Sequence, residues 1–320
     1  MEKIIKIIDN FKGKRIGVIG DLMLDYFIWG DVKRISAEAP VPVVLTKKES
    51  FRPGGAANTA NNIAALRGDV LIIGVVGDDT PGEQLVQELK ERKINVSGIL
   101  KDKNRPTIQK IRIIAQGQQI VRVDKEKNSN IGRRQEEKTI NFIKSQIEKL
   151  DGLAISDYVK GFVTKNIARE IINLAREYKK PIIGDTKPKK ASYFKNITVL
   201  CPNSEEAIEI SGIKDIKKTG RKIQKQLNCN VLITQGSQGM TLFEGNKIKH
   251  FPIKAKEVFD VVGAGDTVTA VISLALTSGA NLKEAVLIAN YAAGISVGKI
   301  GTAVVSPEEL KKELKNNEQD

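Results

Sequence analysis

The 320-residue sequence predicts an α/β fold, a parallel-sheet three-layer core carrying a small β-sheet lid. Three observations lead there. Residues 152–234 alternate short apolar runs with amphipathic stretches, the pattern of parallel strands whose crossover helices cover both faces of a sheet. Arg15 to Gly20, RIGVIG, is an apolar run closed by glycine, and Asp21 and Asp25 follow at the carboxyl end, where open α/β sheets place their ligands. Two segments, about 26–50 and 105–124, break the pattern and read as the lid, inserted in a single domain spanning 1–320.

From Tyr26 to Ser50, prolines lie beside β-branched residues, as in Ala39-Pro40-Val41-Pro42-Val43-Val44, which suits edge strands or a separate small sheet. Trp29 reads there as a packing or subunit-contact residue. Phe51 to Gly68 pairs a glycine-rich turn with a small-residue helix. Gly54 and Gly55 admit a ligand against bare backbone, and Asn58 offers a donor and an acceptor, as sugar hydroxyls require; tight helix packing explains the same residues. Val70 to Gly77 is a buried strand and Pro81 to Arg92 a helix. Arg105 to Asp124 is a hairpin turning at Ala115 to Gln118, with Lys110, Arg112 and Arg122 on positions of like parity, either a cationic face or solvated charges. Strands at 152–156, 181–185, 197–200 and 231–234 then alternate with helices at 164–178, 205–211 and 215–227. Helices near Leu282 to Gly298 and after Ser306, the latter with a capping box Ser306-Pro307-Glu308-Glu309, complete the chain.

Composition narrows the function. Cys201 and Cys229 are too few for a disulfide framework and lack metal-ligand spacing, so a reducing cytoplasm is expected. The amino-terminal stretch is too charged for a signal peptide, and no apolar run approaches the ~18 residues of a membrane span. Lys and Arg number 52 against 38 Asp and Glu, a net charge of +14, but the lysines are scattered as pairs without interleaved aromatics. Neither nucleic acid nor membrane is therefore an expected partner; small anions are.

Chemistry concentrates at Asp260 to Val271, DVVGAGDTVTAV, a loop turning into a buried helix. Gly263, Ala264 and Gly265 keep side chains away from a ligand, and amides at a helix start lack intrahelical partners, so phosphate oxygens are favoured there. A carboxylate at Asp266 beside an anion seat makes sense as the base for a hydroxyl attacking that phosphate, or as a simple helix cap. Further polar groups follow presumed strands: Asp157 with Lys160, Asp185 with Lys187, Asn203 with Glu206, Thr234 with Gly236. Parallel strand ends converge, so these would share one cleft. Asn203-x-x-Glu206 suits magnesium held partly through water, or equally a cap followed by a solvent-facing glutamate. No Gly-x-x-x-x-Gly-Lys-Ser/Thr loop and no Gly-x-Gly-x-x-Gly after the first strand is present. His250, the sole histidine, lies in a polar, turn-like stretch and reads as incidental.

GGAANTA at Gly54 to Ala60 and DVVGAGDT at Asp260 to Thr267, about 200 residues apart and in that order, resemble the paired signatures of the ribokinase-like (PfkB) sugar kinases. The resemblance covers nearly the whole chain. Within the family, GDLMLDYFIWG, RISAEAPVPVV, SDYVKG, CPNSEE and GKIGTAVVSP are similar to the branch acting on the anomeric hydroxyl of D-glycero-β-D-manno-heptose 7-phosphate, on the route to ADP-heptose. The resemblance implies a base at Asp266 with an anion hole at Gly263 to Gly265. It implies ATP and Mg2+ organised by Asn203, Ser204, Glu205, Glu206 and Lys187, with Thr234, Gly236, Asn290 and Gly294 lining the nucleotide. Asp25, Gly54, Gly55 and Asn58 match sugar-binding positions; Lys110, Arg112, Asp157 and Lys160 complete the expected substrate set, and many relatives hold K+ around Asp260 and Val262. A homodimer through the lid is expected. Val271 after Ala270 departs from the family's paired small residues. No His-x-Gly-His nucleotidyltransferase motif is present, so a kinase alone, with a separate adenylyltransferase, is expected. Another acceptor, such as ribose, fructose or a hexose phosphate, fits the same chemistry, and a non-catalytic sugar- or nucleic-acid-binding regulator is the rival of a different class.

Overall fold

The computed structural model describes residues 2–253, 262–299 and 303–316. After helix α1 (Glu2–Asp9) the chain enters β1 (Arg15–Gly20) and passes directly into two long strands, β2 (Leu22–Ile35) and β3 (Pro42–Gly55). Then come α2 (Ala56–Ala65), β4 (Asp69–Gly77), α3 (Thr80–Glu91), β5 (Asn95–Asp102) and the hairpin β6 (Ile108–Ala115) and β7 (Gln118–Lys125). The second half runs α4 (Arg133–Gln146), β8 (Gly152–Asp157), α5 (Lys165–Glu177), β9 (Ile182–Thr186), β10 (Val199–Leu200), α6 (Ser204–Ser211), α7 (Ile216–Leu227) and β11 (Asn230–Thr234). An antiparallel pair, β12 (Met240–Glu244) and β13 (Lys247–Phe251), precedes α8 (Ala264–Thr277), α9 (Leu282–Val297) and α10 (Pro307–Asn316).

Nine strands form one sheet in the order β13-β12-β11-β10-β9-β8-β1-β4-β5. From β11 to β5 every pairing is parallel, and β12 and β13 add an antiparallel edge, so the sheet is mixed where the sequence predicted parallel strands alone. His250 accordingly lies in a strand, not a turn, with Nδ1 3.0 Å from the Thr241 hydroxyl. Alternation within the strands divides the core in two. Ile16 and Val18 pack with residues of α1, α2, α8, α9 and α10 on one face, while Ile19 packs with α4, α5 and α7 on the other. The Ile167, Ile171, Ile172 and Ala175 stripe of α5 is buried as its spacing predicts, and Thr164 caps that helix by accepting from the Ile167 amide at 3.1 Å.

The small sheet has the order β3-β2-β6-β7. It starts at Leu22, earlier than expected, so Asp25 stands on a strand instead of in a loop. Register places Asp25, Phe27, Lys110, Arg112, Arg52 and Arg122 on one face and Tyr26, Ile28, Ile111, Ile113, Val121 and Val123 on the other. The common parity of Lys110, Arg112 and Arg122 is therefore a shared face. Among the described residues no helix is long and apolar enough to cross a membrane.

Candidate active site

Sheet order explains why the polar groups meet. The strands β11, β10, β9, β8 and β1 are successive neighbours, so Thr234, Asn203, Asp185, Asp157 and Asp21 line up along one edge of the sheet. Helix α8 packs across β8 and β9 and brings its amino terminus over that edge. Gly263 caps it at φ 84°, a left-handed conformation that favours glycine, and among the described residues no side chain caps the helix. Asp266 lies inside the first turn, so it is not the cap. Among the described residues nothing accepts from the amides of Ala264 and Gly265, which leaves them available to an anion.

Asp266 is only 4% exposed, yet its carboxylate is fully oriented. Oδ2 accepts from Asn58 Nδ2 at 2.8 Å; Oδ1 accepts from the Thr59 hydroxyl at 2.8 Å and the Tyr158 hydroxyl at 3.1 Å. Burial pushes its pKa up to about 6, against the pull of these three donors. The same burial, with the charge of Asp266, drives the Tyr158 phenol well above its ordinary range, so it stays a donor. Tyr158 owes its place to Asp21, buried to 1%, whose Oδ2 accepts from the Tyr158 and Lys160 amides, both at 2.9 Å, and whose Oδ1 accepts from the Phe162 amide at 3.1 Å.

On the other side of the seat stands Asp185. A side chain added at Gly265 would begin 3.8 Å from Asp185 Oδ2, and among the described residues no hydrogen bond engages that carboxylate. Burial, then the charges of Asp266 and Glu206, raise it to about 7. Both acids bind protons more tightly folded than unfolded, so the stability they lend is complete at low pH and is lost as pH rises through about 6 and 7. Next to them, Lys187 Nζ donates to Glu206 Oε1 at 2.5 Å and lies 5.3 Å over the Tyr158 ring. Burial pulls Lys187 down, but the bond and charge of Glu206 outweigh it and hold it above its ordinary value. Asn203 and Glu206 form a reciprocal capping box on α6, at 2.9 and 3.0 Å. The cap reading of this pair is thus correct, whereas the glutamate faces Lys187 and not solvent.

On the small sheet's inner face, Arg112 Nη1 donates to Asp25 Oδ1 at 2.7 Å, both side chains being nearly buried. Gly54 makes room for this pair, because a Cβ there would sit 2.8 Å from Asp25 Oδ2. Other expected site residues have protein partners. Asn58 was expected to face the sugar, but its amide orients Asp266. Asp157, expected on the substrate, is 2% exposed and accepts from Thr186 Oγ1 at 3.1 Å, the Val159 amide at 2.9 Å and Lys190 Nζ at 3.4 Å; the lack of room around it explains the difference. Lys110 pairs with Asp124 at 3.4 Å and Lys160 with Glu126 at 2.7 Å, so neither is an uncommitted phosphate ligand. Asn290 Nδ2 donates to the Pro252 carbonyl at 2.8 Å, and its buried Oδ1 has no hydrogen-bond partner among the described residues. The Thr234 carbonyl accepts from Ser204 Oγ at 3.2 Å, while Asn203, Glu205 and Gly236 are exposed and Gly294 is half-buried. Gly55 caps α2 at φ 57°. Val262 is 42% exposed, and Asp260 lies outside the described residues. No local sequence pattern points to the parts played by Thr59, Tyr158, Asp21 and Asp185, because their partners lie far along the chain.

A buried carboxylate beside open amides suits phosphoryl transfer, and comparison with known proteins fits. The profile of the pfkB family carbohydrate kinases matches residues 14–309. The chain belongs to the pfkB family. Bifunctional protein HldE of Geobacter sulfurreducens is 41% identical over 300 residues, 92% of this chain and 61% of that protein. HldE of Helicobacter pylori strain J99 is 43% identical over 303 residues, 93% of this chain and 65% of its own. The chain thus spans less than two thirds of these curated relatives. The same fold is seen in Arabidopsis thaliana ribokinase complexed with ribose and ATP, at TM-score 0.73 and 20% identity over 95% of this chain and 99% of that one. Phosphofructokinase-2 of Escherichia coli in complex with potassium matches at TM-score 0.77 and 21% identity, with 95% and 99% covered. As a pfkB carbohydrate kinase, the protein is a sugar phosphotransferase with an alcohol group as acceptor.

Proposed function

We propose that this pfkB kinase transfers the γ-phosphoryl group of ATP to the anomeric hydroxyl of D-glycero-β-D-manno-heptose 7-phosphate, giving the 1,7-bisphosphate for ADP-heptose synthesis. The observation that carries the reading is Asp266, a buried carboxylate held by three donors in the first turn of a helix whose leading amides are open. The acceptor rests on the motifs likened to the heptose-phosphate branch, and identity of 41–43% with HldE proteins supports it.

In this reading Oδ2 of Asp266, which takes one donor only, accepts the proton of the anomeric hydroxyl as that oxygen attacks the γ-phosphorus. The bond to the β,γ-bridging oxygen breaks and ADP leaves. The amides of Ala264 and Gly265 stabilise the charge on the transferring group. The half-buried Lys187, next to Asp185, meets the nucleotide phosphates. Asp185, without a hydrogen bond among the described residues, joins Asn203 and Glu206 as a set of hard oxygen donors that would fit magnesium through water, and the ion when bound would supply positive charge beside the phosphates. Potassium around Asp260 and Val262 is supported by the family likeness alone.

The small sheet serves as the lid, and its outer face suits a second copy of the chain. Val121 and Val123 are 44% and 49% exposed there, beside Ile111 and Ile113. Sedimentation is expected to show a dimer that Val123→Lys dissociates; a monomeric wild type would end this part of the reading. For the reaction, a panel of heptose 7-phosphate, ribose, fructose and hexose phosphates is incubated with ATP, and ADP release and product are followed. Heptose 7-phosphate is expected to give the highest kcat/KM and a 1,7-bisphosphate; a higher value for another sugar would reassign the acceptor.

A further inference from the structure

A cavity of about 710 Å³ lies against the inner face of the small sheet, walled by Phe27, Trp29, Arg52, Arg112 and Gln119. It reaches Val262, the residue before the seat at Gly263. Arg52 on β3 and Arg112 on β6 flank β2, and their guanidinium carbons lie 5.5 and 5.2 Å from the centre of the same Phe27 ring. The stacking fixes the planes of both forks in advance.

Their commitments differ. Arg112 is neutralised by Asp25. The other charged pair on the cavity wall, Lys47 and Asp31, is closed on itself at 2.5 Å. Among the described residues Arg52 has neither a carboxylate partner nor a hydrogen bond from its side chain; its contact is the Phe27 face. A half-buried guanidinium with unused donors, in a cavity whose other charges cancel, calls for an anion from outside the protein.

We infer that Arg52, assisted by Arg112 across Phe27, binds the phosphate carried by the sugar acceptor, and that this grip makes the enzyme prefer a phosphorylated sugar to a free one. The inference rests on the proposed acceptor, whose phosphate and reacting hydroxyl lie at opposite ends. It differs from the anion seat at Gly263, which would take the phosphate of ATP.

Arg52→Gln and Arg52→Lys are assayed with heptose 7-phosphate and with the dephosphorylated heptose, and the KM for ATP is measured alongside. For Arg52→Gln, kcat/KM with the phosphorylated sugar should fall about 30-fold, the loss of one charge-assisted pair, with a much smaller fall for the free sugar. Arg52→Lys, which keeps the charge and loses the fork, should fall between. Equal losses on both sugars, or none, would overturn the grip while leaving the acceptor assignment intact. A wild type that refuses heptose 7-phosphate yet favours another sugar phosphate would overturn the acceptor, and Arg52→Gln must then erase that preference. A wild type indifferent to acceptor phosphorylation overturns the grip outright.

Discussion

Asp266→Asn is expected to lower turnover by on the order of 10³ to 10⁴, the contribution of a positioned general base. The substitution keeps the shape of the side chain and removes its ability to take a proton. Thr59 and Tyr158 can still donate to the remaining oxygen, and the open amides of α8 are untouched, so ATP affinity measured by calorimetry should change little. A pH profile gives a second check. With its pKa near 6, Asp266 is protonated below that value and cannot accept the hydroxyl proton, so kcat should fall as pH drops through about 6 and level above it. The acid limb should vanish in the residual activity of the variant. Near-normal turnover in Asp266→Asn would remove this residue as the base.

A second large effect is expected at Asp21, one residue removed from the carboxylate of Asp266. Asp21→Ala strips the acceptors from the amides of Tyr158, Lys160 and Phe162 in a place that is 1% exposed. Leaving such donors unpaired costs about 1 to 3 kcal/mol each, so a loss on the order of 3 kcal/mol or more is expected. Urea melts should show a lower midpoint with an unchanged slope, the sign of altered stability without a change in the surface exposed. Activity should fall as well, because the amide that fixes Tyr158 fixes one of the three donors to Asp266. A midpoint close to wild type would mean that water replaces the carboxylate and that Asp21 is dispensable.

Asp21 also shows where reading the chain succeeds and where it stops. Its position after a buried strand placed it at the ligand edge, but its partners lie 137 to 141 residues further on, and no local pattern encodes that distance. Tyr158 is similar: SDYVKG stands out as a motif, yet only packing of α8 over β8 sets the phenol against Asp266. By contrast, Gly55 and Gly263 were legible because their left-handed backbone, at φ 57° and 84°, favours glycine, and the parity of Lys110, Arg112 and Arg122 because a strand has a period of two. Asn58, Asp157 and Lys160 read as substrate positions in the sequence, but sequence does not tell whether a polar group faces a ligand or a neighbour. The hairpin at 240–251 was overlooked despite a turn signal, Gly245-Asn246, between its strands. Arg52 went unremarked because a lone arginine on a strand looks like any solvated charge.

Both feet of the β6–β7 hairpin are tied down by a single guanidinium. Arg105, just before β6, donates to the carbonyls of Lys127 and Ser129, just after β7, and to that of Lys160 in the core. Such an attachment makes the root a clamp on the loop carrying Tyr158, and because β6 is paired with β2 as far as Ala115 and Gln116 Nε2 donates to the Val32 carbonyl at 3.3 Å, the hairpin can move only together with β2 and β3. Incoming sugar would therefore meet a small sheet that tilts as one plate about that root, which leaves the alignment of the phenol in place.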